Sequence, residues 1–138
     1  MKILKSMIFD TGDVSVNSIA RNTGLSKGLV SKYFKILIDS GVLKRANGKL
    51  TVSESSLTKG IKILLNIDAI DIQLFRRFPF VESVGLYGSC AKGENNIDSD
   101  IDIWIKIQPR TEARCLLLSS SIHRYLENSK ILFLTSER

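Results

Sequence analysis

The sequence predicts an α+β chain in two parts, with helices and a short hairpin over residues 1–66 and helices interleaved with strands over residues 67–138. Three observations carry this reading. Apolar residues recur at helical spacing through the first part, an Asn47-Gly48 pair separates two short apolar runs, and residues 100–107 alternate between polar side chains and isoleucine. Recurrence at i, i+3 and i+4 lays apolar groups along one helix face, whereas a period of two divides them between the faces of a strand.

In chain order, Ile3, Leu4, Met7 and Ile8 make a first helix, and Val16, Ile19 and Ala20 a second that Asn22-Thr23-Gly24 breaks. Ser26 is placed to cap a third helix, with Leu29, Val30, Tyr33, Phe34, Leu37 and Ile38 as its inward stripe and Gly41 as its stop. Two helices joined by a tight glycine-containing turn form a helix-turn-helix. Val42 to Arg45 and Lys49 to Val52 then flank Ala46-Asn47-Gly48, a strong hairpin signal. Ser53 to Ser56 opens a further helix with Leu57, Ile61, Leu64 and Leu65 on one face, ending near Asn66. It reads as a connector; pairing of two copies and packing on its own domain explain that apolar face equally well.

Beyond it, Asp68 to Phe78 reads as a helix stopped before Pro79, whose ring disfavours helix at the preceding residue. Glu82 to Tyr87 starts a sheet. At Gly88-Ser89 this strand gives way to Ala91-Lys92-Gly93, a helix-opening turn whose free N–H groups suit an anion. Ser99 to Ile107 is a second strand with Asp100, Asp102, Trp104 and Lys106 on one face and the isoleucines on the other. Glu112 to Glu127 reads as helix and Lys130 to Leu134 as a last strand.

The charge is unevenly spread. Of a net +6, residues 1–66 hold eleven Lys and Arg against four Asp and Glu, a balance of +7; residues 67–138 hold nine against ten, a balance of −1. The first part is therefore expected to meet a polyanion. Cys90 and Cys115 fall in different elements without metal-ligand spacing and read as reduced thiols. No apolar run approaches the ~18 residues that span a bilayer, and Met1 to Asp10 lacks the pattern of a signal peptide, so no membrane partner and a cytoplasmic location are expected.

The aspartates carry the chemistry. Asp100 and Asp102 on one strand face repel each other unless a cation lies between them, and aspartate is depleted in strands. A same-face carboxylate pair beside a phosphate-cradling turn suits a hard divalent ion that shares its ligands with phosphates. The run Gly85-Leu86-Tyr87-Gly88-Ser89-Cys90-Ala91-Lys92-Gly93-Glu94-Asn95-Asn96, followed by Ser99-Asp100-Ile101-Asp102-Ile103-Trp104, resembles the signature of the minimal nucleotidyltransferases of the DNA polymerase beta superfamily. The resemblance implies a mixed sheet flanked by helices. It implies a nucleoside triphosphate, ATP first, held by Gly88, Ser89, Lys92 and Gly93, and Mg²⁺ or Mn²⁺ on the catalytic pair Asp100 and Asp102. The implied reaction transfers a nucleoside monophosphate from the nucleoside triphosphate to an acceptor hydroxyl, with pyrophosphate leaving. Lys92 is also readable as a plain surface lysine, Trp104 as a cover for the sheet edge, Asp98 as a turn residue and His123 as a surface group.

Residues 25–43, with Leu25-Ser26-Lys27-Gly28-Leu29-Val30-Ser31-Lys32-Tyr33-Phe34-Lys35 at their head, resemble the winged helix-turn-helix domains of prokaryotic transcription regulators. That likeness implies double-stranded DNA as partner. Ser26, Lys27, Ser31, Lys32 and Lys35 of the third helix would lie along the major groove, while Arg45, Asn47 and Lys49 of the wing approach phosphates. The third helix contains no Arg, the commonest reader of guanine, so affinity is expected to lean on phosphates and to fall with salt.

One departure weighs on the catalytic expectation. The family supplies a third carboxylate from the next strand; here that strand, Lys130-Ile131-Leu132-Phe133-Leu134, offers none, with Glu127 before it and Glu137 after it. The family's domain also runs on beyond the point matched by Arg138, which implies a compact or truncated form. Two functions follow as expectations: a DNA-binding nucleotidyltransferase acting on a hydroxyl, by analogy one on a partner protein as in toxin and antitoxin pairs, or a transcription regulator whose second domain is a non-catalytic ligand-sensing or docking module.

Overall fold

The computed structural model describes residues 1–136. The chain divides into two compact units, Met1–Leu65 with Gly93–Asp98, and Asn66–Lys92 with the residues from Ser99 onward.

The first unit is built from α1 (Lys2–Met7), α2 (Val16–Thr23), α3 (Lys27–Asp39), β1 (Leu43–Ala46), β2 (Lys49–Val52) and most of α4 (Ser56–Asp68). The caps expected at α3 are present. Ser26 Oγ accepts from the Leu29 amide at 3.2 Å, and Gly41 beyond the helix has φ +80°. Between β1 and β2, Asn47 and Gly48 both adopt positive φ, the two-residue turn whose twist matches paired antiparallel strands. Val14 bridges to Leu50 and so ties the segment before α2 to this wing. The core gathers Ile3, Met7, Ile8, Ile19, Val30, Phe34, Leu37, Val42 and Leu43.

Two apolar stripes differ from the sequence expectation. On α3, Val30, Phe34 and Leu37 are buried, whereas Leu29 and Tyr33 are 40% and 47% exposed. Successive helical residues are about 100° apart, so a stripe centred on Val30 and Phe34 leaves their predecessors on its shoulder. On α4, Leu65 is buried and Ile61 packs on the core, while Leu57 and Leu64 face outward. Polar Thr58 and Lys62 are instead buried on this helix, Lys62 lying 3.7 Å from the exposed Glu54 carboxylate.

The second unit holds α5 (Ile72–Arg76), β3 (Val81–Leu86), α6 (Gly88–Lys92), β4 (Ile101–Ile107), α7 (Cys115–Tyr125) and β5 (Ser129–Thr135). Helix α5 is shorter than the expected span from Asp68 to Phe78. The Asp71 carboxylate accepts from the Gln73 amide at 2.9 Å and starts the helix there, because α4 runs on to Asp68. The sheet has the order β3-β4-β5, with β3 antiparallel and β5 parallel to β4. Parallel neighbours need a crossover, and α7 supplies it. Ile103, Ile105 and Ile107 are fully buried against Phe75, Phe80, Leu118 and Ile122. The strict alternation of β4 leaves Asp102, Trp104 and Lys106 on the opposite face, in register with Lys130, Leu132 and Leu134 of β5.

Candidate functional site

Strand β3 delivers the Gly88-Ser89 turn to the start of β4. The Tyr87 amide donates to the Asp102 carbonyl at 3.0 Å, and Gly88 then leaves the sheet with φ +62° into the single turn of α6. The Gly88 backbone lies so close to Asp102 that a β-carbon there would collide with Oδ2. Glycine is needed twice over, for the left-handed φ and for that approach. Ser89 and Cys90 follow in α6; Cys90 is buried, its thiol donating to the Asp100 carbonyl at 3.4 Å, and burial raises its pKa.

Asp102 occupies the open face of β4, and Asp100 lies just before the strand. Both belong to one charge cluster with Lys130. Lys130 is the register partner of Asp102, and its Nζ lies 2.7 Å from Asp100 Oδ2, with the two side chains 67% and 45% exposed. The hydrogen bond and charge of Asp100, joined by Asp102 and Tyr87, raise the Lys130 pKa. Alignment of residues on neighbouring strands puts their side chains on one face, which is why Lys130 meets the pair at all.

Whether these residues fit a divalent metal turns on the donors. The side chains that β5 presents to the aspartate face are Lys130, Leu132 and Leu134, none of them an oxygen ligand. Among the described residues no group of three His, Cys, Asp or Glu is placed to hold a metal ion. Glu127 is exposed between α7 and β5, and Glu137 lies outside the described residues. One or two carboxylates suffice for Mg²⁺ where substrate phosphates and water complete its shell, but here Asp100 is already bonded to the Lys130 ammonium. A dication at the pair would therefore have to compete with Lys130 for Asp100.

Lys92 ends α6 and is exposed. Gly93 belongs to the first unit, buried with φ +68° against the backbone of Lys59, where a β-carbon would strike the carbonyl. Beside it Lys59 and Glu94 form a 3.2 Å ion pair, and the Ile97 amide donates to the Phe9 carbonyl. Packing therefore accounts for glycine at this position. Trp104 lies over Gly85, its register partner, whose missing side chain makes room for the indole. His123 has both ring nitrogens within hydrogen-bond distance of backbone carbonyls, those of Ser119 and Ser129, which ties α7 to β5. Tyr87 beside the charge cluster escaped the sequence reading; its place next to Gly88 was the available signal.

The basic surface sits on α3 and the wing. Lys27, Ser31, Lys32 and Lys35 are exposed along α3, and Ser26 at its start spends its hydroxyl on the cap. Arg45 and Asn47 are exposed on the wing, and Lys49 pairs at 3.2 Å with Asp13 in an exposed ion pair of small energetic weight.

A winged helix-turn-helix and a mixed sheet with a strand-turn-helix corner beside paired aspartates define a DNA-binding protein with a nucleotidyltransferase-type domain. Residues 70–138 match the family described as Polymerase beta, Nucleotidyltransferase, and residues 1–44 match the one described as Winged helix-turn-helix DNA-binding. The chain belongs to the polymerase beta nucleotidyltransferase family, with a winged helix-turn-helix at its N-terminal end. No curated protein and no solved structure matches it. Among the described residues, no helix is long and apolar enough to cross a membrane.

Proposed function

We propose that this protein is a DNA-binding regulator whose nucleotidyltransferase-fold unit is a non-catalytic ligand-sensing or docking module. One observation carries the reading: β5 faces the aspartate pair with Lys130, Leu132 and Leu134, and no third carboxylate. Nucleotidyl transfer depends on neutralising triphosphate charge and on deprotonating the attacking hydroxyl. The three charged groups here sum to −1, which repels a triphosphate. On the first unit, Lys27, Lys32 and Lys35 serve DNA phosphates, and the exposed Leu57 and Leu64 of α4 are the residues through which two copies would pair. Incubation with α-labelled ATP, Mg²⁺ or Mn²⁺ and duplex DNA is expected to leave protein and DNA unlabelled.

A second reading is favoured by the contact between Gly88 and the Asp102 carboxylate, the juxtaposition a triphosphate site requires. In it, Gly88, Ser89 and Lys92 would orient ATP, Asp100 and Asp102 would hold Mg²⁺ to neutralise phosphate charge, and the nucleoside monophosphate would pass to a hydroxyl on a partner protein of the toxin and antitoxin kind, with pyrophosphate as the leaving group. The same incubation with candidate partners separates the two readings. Label on a partner that disappears with Asp100→Ala and Asp102→Ala establishes transfer and ends the regulator-only reading.

A further inference from the structure

We propose that the Lys130 ammonium is the resident counter-ion of the Asp100–Asp102 pair, competing for the place a divalent ion would take, so that a dication binds tightly only when this lysine is replaced. The inference rests on the non-catalytic reading of the unit and assigns the residue that makes it so. Three observations support it. Strand pairing sets Lys130 directly beside Asp102, its side chain reaches Asp100 Oδ2 at 2.7 Å, and Asp102 is the next carboxylate to act on it.

The two aspartates are held close by covalent spacing, Asp102 within β4 and Asp100 just before it. Like charges so placed demand a cation, and the chain supplies one from its own neighbouring strand. An ion approaching Asp100 Oδ2 meets an ammonium already donating to that oxygen, and has either to displace it or to lie beside a like charge. Because β4 and β5 are paired from Ile101↔Ser129 to Ile107↔Thr135, the lysine backbone cannot withdraw without breaking the sheet. Its exposed side chain can still swing aside, so the exclusion is a competition that a change of charge at this one position reverses. Replacement by glutamate turns the +1 opposite the pair into −1 and makes a three-carboxylate set, and ligand charge count is a principal determinant of dication affinity.

The test uses Mn²⁺ as probe on the full chain, with bound ion counted by electron paramagnetic resonance and Tm followed in parallel. Wild type is expected to show weak or no saturable Mn²⁺ binding and a Tm unmoved by it. Lys130→Glu is expected to bind Mn²⁺ at least about tenfold more tightly, with a Tm that rises on addition of the ion, and both effects should vanish when Asp100→Asn and Asp102→Asn are added. Lys130→Gln, which carries no new negative charge, serves if the glutamate variant fails to fold and is expected to bind with intermediate affinity. Tight wild-type binding that is lost with Asp100→Asn overturns the proposal, as does the absence of any gain in both Lys130 variants. Nucleotidyl transfer by the wild type would refute the non-catalytic reading through a different readout, so the two failures are distinguishable.

Discussion

Gly88 and Asp102 touch through the sheet, backbone against carboxylate, with no space between them for a methyl group. Sequence separates them by thirteen residues, and the pairing of Leu86 with Ile103 brings them together. Gly88→Ala is therefore expected to destabilise the protein by about 1–3 kcal/mol, from the left-handed φ and the displaced carboxylate together. Gly12→Ala, where nothing lies within 4 Å, should change stability little. Urea denaturation of the two variants checks the contrast; equal effects would remove the contact as the cause.

Packing on α3 gives a second prediction. Phe34→Ala should cost about 3–5 kcal/mol, since a buried ring leaves a cavity. Leu29→Ala and Tyr33→Ala should each cost less than about 1 kcal/mol, because both side chains already meet solvent. Equilibrium unfolding with circular dichroism reads both values, and a large loss at Leu29 would mean the helix is rotated relative to its core.

For DNA, anisotropy titrations of a labelled duplex at several salt concentrations should give affinity that falls linearly on logarithmic axes. Lys32→Ala with Lys35→Ala is expected to lower the slope by about 2, one unit for each phosphate contact removed. A slope equal to that of the wild type would take these two lysines out of the interface.

The thiols make a fourth prediction. Burial raises the pKa of both thiols, with the Glu112 charge adding to the rise at Cys115, so the difference in their reactivity rests on access, Cys90 being buried and Cys115 half-buried. Iodoacetamide at pH 8 should label Cys115 first and reach Cys90 only in denaturant. Mass spectrometry of peptides after timed quenching distinguishes the sites; prompt labelling of Cys90 in the folded protein would contradict its burial.

Much of the architecture was legible in local chemistry. Ser26 could be read as a cap because a hydroxyl three residues before a free amide satisfies it, and Asn47-Gly48 as a turn because few residues accept positive φ. The alternation of β4 likewise announced which side of the strand would be buried. The shoulder positions of α3 and the outward Leu57 and Leu64 of α4 were not legible, because helical periodicity marks a face without fixing its centre. The short α5 was missed since Asp71, a capping residue, also reads as an ordinary helical surface residue.

The order of helices and strands, the charge asymmetry between the two parts, and the family signature from Gly85 to Trp104 are written into short stretches of chain, because each depends on residues a few positions apart. That Lys130 stands beside Asp102 and bonds Asp100, and that Gly93 packs on Lys59, follows from folding alone. Those relations depend on strand register across the α7 crossover and on helix-to-loop packing, which arise from the collapse of distant segments onto shared cores and leave no local periodicity to read.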